Sequence, residues 1–303
     1  MMLYFVVGLL VLAAGALAAS VAVAVLVRTR GARRRQRDRT LLGLRSALCW
    51  GFVAAAATAV LVLAFDGAHQ DWMGLPLALV PGLSASAGLL VIALTPRPRV
   101  AAGATRSASL QPRGTWSVGA RRDYLRPAIG AALVAAVLVI TGLTGSPDSI
   151  GMQRAFSLRN GHGVSTASPY PGWYYAGPLL VVTALLVVTA LLAIRRIAAL
   201  PSLQPADEDT DRAWRRAAAS AVSFDVTAGL LLHLAGVLLV AGSAIQSVSW
   251  GAGAPSGALF AGSWMLIGFA FVTGALAVVS LGVGIGRIAQ LGFVGRRPAA
   301  LPR

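Results

Sequence analysis

The sequence predicts an all-α, polytopic transmembrane bundle of about seven spans, and three observations predict it. Hydrophobic residues make up 57% of the 303-residue chain and charged residues only 12%, where a soluble domain carries about 25% charge. Seven apolar stretches approach the roughly 20 residues a bilayer core demands of a helix. The basic residues, 26 in all, gather in alternate connecting segments, as short cytoplasmic loops do. The alternating polarity of a transmembrane β-barrel is absent, so helices must satisfy the backbone in lipid.

The first span is Leu3–Val27. Ala16-Leu17-Ala18 has the form of a signal-peptidase site, but no basic segment precedes it and the apolar run continues to Val27. An uncleaved first helix is the expectation. The arginine cluster of 28–46 follows, then a second span, Ala47–Phe65. A six-residue turn, 66–71, carries Asp66, His69 and Asp71 as D-x-x-H-x-D. Oxygen and imidazole ligands suit a divalent metal, but a turn this short more often carries such residues because they are polar and fit a tight reversal, and no metal is expected. Trp72–Leu94 is the third span, and 95–126, with Pro96, Pro98 and Pro112, reads as a flexible cytoplasmic linker.

The fourth span, Pro127–Leu143, is the shortest, and the longest opposite-side loop, 146–173, follows it. That loop ends in SPYPGWYYAG, where Pro169 and Pro171 keep the approach extended. Trp173, Tyr174 and Tyr175 are expected at headgroup level, with Trp72 and Trp264 as parallel interface anchors. Pro178 is expected in the first helical turn. Tyr170 lies before that boundary and is a candidate ligand contact. The fifth span is Tyr174–Ile194. In 195–221, PADEDTD precedes RAWRRAAASAV, placing acids at a helix start as the dipole favours. That helix is expected to continue into the sixth span, Val222–Ile245, with Trp214 near the headgroups. Leu259–Ile285 is the seventh span, ending in Gly282-x-Gly284-x-Gly286, a spacing suited to close helix contact.

Segments 28–46, 95–126, 195–221 and 286–303 hold 24 of the 26 arginines, while the opposite loops hold only Arg154 and Arg159. The rule for short loops then puts the N-terminus outside and the C-terminus in the cytoplasm. The net charge of +16 therefore reads as topology and contact with anionic lipid headgroups, and no nucleic acid partner is expected. Each returning helix carries a tryptophan near its start (WMGLPL, WYYAGPLL, WMLIGF), so the chain reads as one helix plus three hairpins.

Composition also excludes chemistry. Every basic residue is arginine, which removes lysine Schiff bases and the Walker A lysine. Cys49 is the only cysteine, so neither an intrachain disulfide nor a cysteine metal cluster forms. No cofactor is expected.

Two ionisable groups fall inside spans, Asp225 and His233, and such groups are functional candidates because centring one costs about 2.5–3.5 kcal/mol. Arg287, just past the seventh span, is placed to reach Asp225. Structural pairing or interfacial solvation competes there with proton transfer. GLSAS, Gly82 to Ser86, resembles the G-x-S motif of rhomboid intramembrane proteases, and His233-Leu234-Ala235-Gly236 resembles their H-x-x-G. The resemblance implies Ser84 as nucleophile and His233 as its base. Rhomboids carry these residues on helices running the same way, whereas here the third span runs inward and the sixth outward.

In composition, arginine-rich inner loops and aromatic re-entry motifs, the chain also resembles the uncharacterised multi-pass integral membrane proteins of high-GC Gram-positive bacteria. That resemblance implies a bacterial plasma membrane and no activity. The expected function is a non-enzymatic transporter, permease-like subunit or accessory subunit of a membrane complex, with partner subunits. The alternatives are a serine hydrolase using Ser84 and His233, or a sensor using loop 146–173.

Overall fold

The structure, a computed structural model, describes residues 39–68, 72–94, 114–160, 163–200, 208–251 and 257–290. The first predicted span, Leu3–Val27, lies outside the described residues, as do His69, Asp71 and residues 95–113 of the predicted linker. Six helices are described: α1 (Arg39–Ala68), α2 (Leu75–Leu94), α3 (Arg121–Thr144), α4 (Trp173–Ala199), α5 (Glu208–Gly251) and α6 (Gly257–Gln290). Five of them, α2 to α6, are long and apolar enough to cross a membrane. α1 runs for 30 residues, of which Val53–Ala68 forms a shorter apolar stretch.

Helix α5 is the centre of the bundle. It packs most extensively on α6 and also against α2, α3 and α4, while α1 packs on α2 and α2 on α4. Its buried face places Trp214, Val222, Val226 and Leu230 at full burial. They meet Leu186 and Ile197 of α4, Leu138 of α3 and Leu89 of α2 in one core cluster. α6 differs: it buries little, and Phe269, Phe271, Val279 and Val283 all face outward. An apolar helix with an apolar outer surface is stable in lipid and costly in water. At the α1–α2 crossing a methyl on Gly51 would stand 2.8 Å from the Gly88 carbonyl oxygen. Only glycine lets those two backbones approach so closely.

The described residues are mostly helical, as an all-α class requires, with one small sheet added. Segment 146–173 folds as a three-stranded antiparallel meander, β1 (Ser146–Pro147), β2 (Gln153–Asn160) and β3 (Gly163–Ala167). Phe156 stands opposite Ala167 and Arg159 opposite Val164. The meander rests on the end of α5 through Tyr170, which is buried with Ala241 and Ala244 and packs on Phe156 at 5.2 Å between ring centroids. The linker reading also changes at its end. Thr115–Ser117 is a 3-10 turn, and α3 begins at Arg121, six residues before the predicted fourth span. The Asp123 carboxylate accepts from the Ala120 N–H at 2.9 Å, satisfying one of the free donors of the first turn.

The 44-residue α5 is continuous, as the charge pattern predicts. Trp214 on it is not at the surface, however. It is fully buried, and its indole N–H donates to Asp211 at 3.0 Å.

Candidate functional site

The sequence singles out the intramembrane stretch of α5, and the structure builds two polar sites on it. The first surrounds His233. Pro81 interrupts α2, and the following N–H, of Gly82, donates to His233 Nε2 at 3.2 Å. With Nε2 accepting, a neutral imidazole carries its proton on Nδ1, which is buried without a partner. A Cβ on Gly82 would collide with the imidazole and with Val182 of α4. The glycine after the proline thus serves to admit the histidine.

Ser84 is two residues away but faces its own helix, its hydroxyl donating to the Val80 and Pro81 carbonyls. The structure therefore brings His233 to the GLSAS segment and joins it to the backbone of Gly82, while the Ser84 hydroxyl is engaged elsewhere.

The second site surrounds Asp225. Eight residues before His233, and so about 12 Å along the helix, Asp225 lines a narrow cavity of about 40 Å³. Gly51 and Ala55 of α1, Gly88 of α2, and Gly284 and Ile288 of α6 form much of its wall. α2 and α5 make its floor, and α1 and α6 flank it while scarcely touching each other. Asp225 is the only ionisable residue among the described lining residues. Arg287, predicted to approach Asp225, lies in the last turn of α6, one residue before the lining Ile288.

The predicted interface anchors divide in two. Trp72 and Trp264 are about half exposed, as an interfacial belt requires. Trp72 stacks edge-on against Phe65, and Trp264 against Phe260. Trp173 is also partly exposed. The adjacent tyrosines turn inward: Tyr175 is buried and donates to the Met73 carbonyl at 2.8 Å, and Tyr174 donates to that of Trp72 at 3.4 Å. They latch the start of α4 to the α1–α2 turn. Since α4 begins at Trp173, Pro178 falls in the second helical turn and not the first.

Tyr170 is a core residue of the meander, 3% exposed, with its hydroxyl 2.6 Å from that of Thr144. Burial pushes its phenol above the ordinary range, opposed by the Thr144 hydrogen bond. Asp66 accepts from the Leu77 N–H at the start of α2, the role of a helix cap. Among the described residues no group of His, Cys, Asp and Glu is arranged to hold a metal.

Among the described residues, two largely buried ion pairs escaped the sequence. At the arginine-rich end, the buried Arg215 donates from Nε to Asp211 at 2.9 Å. Its Nη1 donates to the Ile197 and Ala198 carbonyls and its Nη2 to that of Leu200. One guanidinium thereby satisfies carbonyls at the end of α4, the region where a helix leaves acceptors free and favours positive charge. At the sheet end, Arg154 Nε donates to Asp148 at 2.5 Å. Burial raises the Asp148 carboxyl, but the Arg154 hydrogen bond and the N–H groups of Met152 and Ile150 outweigh it and hold the group below the usual carboxylate range.

Compared with known proteins, the chain matches no family model, no curated protein and no solved structure.

Proposed function

We propose that the chain is a non-enzymatic, multi-pass component of a bacterial plasma membrane, of the transporter or accessory-subunit type. Its N-terminus lies outside and its C-terminus in the cytoplasm. The observation that carries this reading is the placement of Asp225, a lone carboxyl in an apolar cavity between helices of membrane-crossing length. A charge-bearing group in lipid is costly to keep and marks ion or substrate pathways more often than packing does.

The occupation of both candidate catalytic groups supports the non-enzymatic part. A serine nucleophile needs its base within hydrogen-bond reach, whereas the Ser84 hydroxyl and His233 Nε2 are each taken by backbone. The arginine distribution supports the orientation.

The test is purification in native lipid with any partner subunits, followed by flux measurements in vesicles. A serine-directed fluorophosphonate probe is applied in parallel. Labelling that disappears in Ser84→Ala would refute the non-enzymatic reading in favour of a serine hydrolase. Orientation is checked by single-cysteine accessibility after Cys49→Ala, which removes the only native thiol.

The folded meander supports a second reading, a sensor of external ligands, because a rigid sheet on the end of α5 links that surface to the intramembrane sites.

A further inference from the structure

We propose that Asp225 is a reversible proton-binding site, reached through the cleft between α1 and α6; this rests on the membrane-spanning reading above. The argument begins with charge. A bare carboxylate in a low-dielectric interior is too costly to persist, so a buried carboxyl is compensated by a cationic side chain, by hydrogen bonds or by a bound cation or proton. The Asp225 carboxyl, half-buried in the cavity, makes no hydrogen bond or ion pair among the described residues.

Among the described residues, the other groups lining its cavity are uncharged. The described cavity walls on α1, α2 and α6 contribute only glycine and aliphatic residues. The charged neighbours are accounted for elsewhere or do not line the cavity. Arg126 of α3 stands over the Phe224 ring, its guanidinium 4.2 Å from the centroid, and is bonded to Asp123 at 3.1 Å. Arg287 stands beside the cavity on α6 without lining it, and His233 is two turns further along α5.

The second observation is access. The cavity has about 40 Å³ of room, above the roughly 10–15 Å³ that admits one water and too little for an organic solute. Among the described residues its flanking helices α1 and α6 scarcely touch each other, so the path to Asp225 that these residues leave lies between them. Small residues shape that path. A Cβ on Gly284 would sit 3.3 Å from that of Phe224 and 3.8 Å from the Asp225 backbone nitrogen, so glycine there eases the close approach of α6 to the α5 backbone beside Asp225. The step itself is simple: the carboxylate takes one proton to become the neutral acid and returns it, with no bond other than O–H made or broken.

The experiment uses the full chain in vesicles of phosphatidylethanolamine and phosphatidylglycerol. Infrared absorption of protonated carboxyl groups is recorded across a pH titration. The expected result is a reversible band that disappears as pH rises, is missing in Asp225→Asn and returns, shifted, in Asp225→Glu. A titrating band unchanged by Asp225→Asn overturns the proposal.

Should Asp225→Asn fail to fold, the wild type is treated with a lipid-soluble carbodiimide, which modifies the protonated acid in apolar surroundings. An adduct at Asp225 that falls about tenfold per pH unit above its midpoint is expected. No adduct there at any pH overturns the proposal, and protection by sodium at fixed pH overturns it in favour of a metal-cation site. Proton flux into the same vesicles tests the transporter reading separately. Titration without flux leaves the site standing and removes transport by the chain alone.

Discussion

Replacing Arg215 by alanine is the most informative perturbation of the fold. The guanidinium, 7% exposed at the side chain, makes two hydrogen bonds to Asp211 and three to the carbonyls of Ile197, Ala198 and Leu200. Removing it takes a charged donor from those carbonyls, of which Ile197 keeps the Leu200 N–H at 3.3 Å, and takes two hydrogen bonds from the Asp211 carboxylate, which still accepts from the Trp214 N–H. At roughly 1.5–3 kcal/mol for each charge-assisted bond, simple addition would exceed the whole stability of many domains, so the bonds do not add. Breaking a buried pair from one side costs about 3–5 kcal/mol, and about 4 kcal/mol is the expected loss.

Arg215→Lys keeps the charge but not the planar fork that spans three carbonyls, and should recover no more than about half of that loss. Reversible unfolding in bicelles, followed by tryptophan fluorescence, measures both. Fluorescence reports the event directly because Trp214 is fully buried beside the guanidinium, 4.6 Å from the indole ring. A double-mutant cycle with Asp211→Asn should return a coupling of about 0.5–3 kcal/mol. A loss under about 0.5 kcal/mol in Arg215→Ala, the range of an ordinary surface substitution, would refute the reasoning.

Gly82→Ala drives a methyl into the His233 imidazole and Val182 and should cost about 1–3 kcal/mol by overpacking; adding His233→Ala should return part of that loss in the same unfolding assay. Tyr170→Phe loses the hydroxyl contact with Thr144 and should cost about 1 kcal/mol, seen as earlier proteolysis of the meander. Asp148 is held below its ordinary range in the folded state, so its contribution to stability is present above its unfolded pKa of about 3.9 and is lost as pH falls through the lower folded value. The sheet should open at acid pH below that range in wild type. Asp148→Asn should remove the pH dependence, with hydrogen exchange of β2 amides as the readout.

Much of the helical plan is legible in the sequence because lipid imposes a length and a composition on each span. The stretches 72–94, 127–143, 174–194, 222–245 and 259–285 each fall largely within a helix of membrane-crossing length. What escapes depends on distant partners. Trp214 resembles a headgroup anchor by its place after an acidic helix start, yet the carbonyl its neighbour Arg215 caps at Leu200 is 15 residues away. Tyr175 and Met73 meet across 102 residues, so no local pattern separates a latch from a belt.

The meander was nearer to being readable. QRAFSLRN and GVSTA are short runs separated by two residues, Gly161-His162, and a two-residue connection with glycine first is a hairpin signal. At the intramembrane site, the sequence names Asp225 and His233. Only packing distinguishes the backbone-bound imidazole from the carboxyl in its cavity.

Helix α4 is fastened at both ends, by Tyr174 and Tyr175 to the α1–α2 turn and by Arg215 at its final carbonyls. A strut pinned at two points over 27 residues has little freedom to slide or rotate without breaking charge-assisted bonds. α6 is held differently, by its long packing along α5, while its outward face bears on no other described helix. Because Val182 of α4 stands against Gly82, a helix fixed in this way also holds one wall of the His233–Gly82 contact in place.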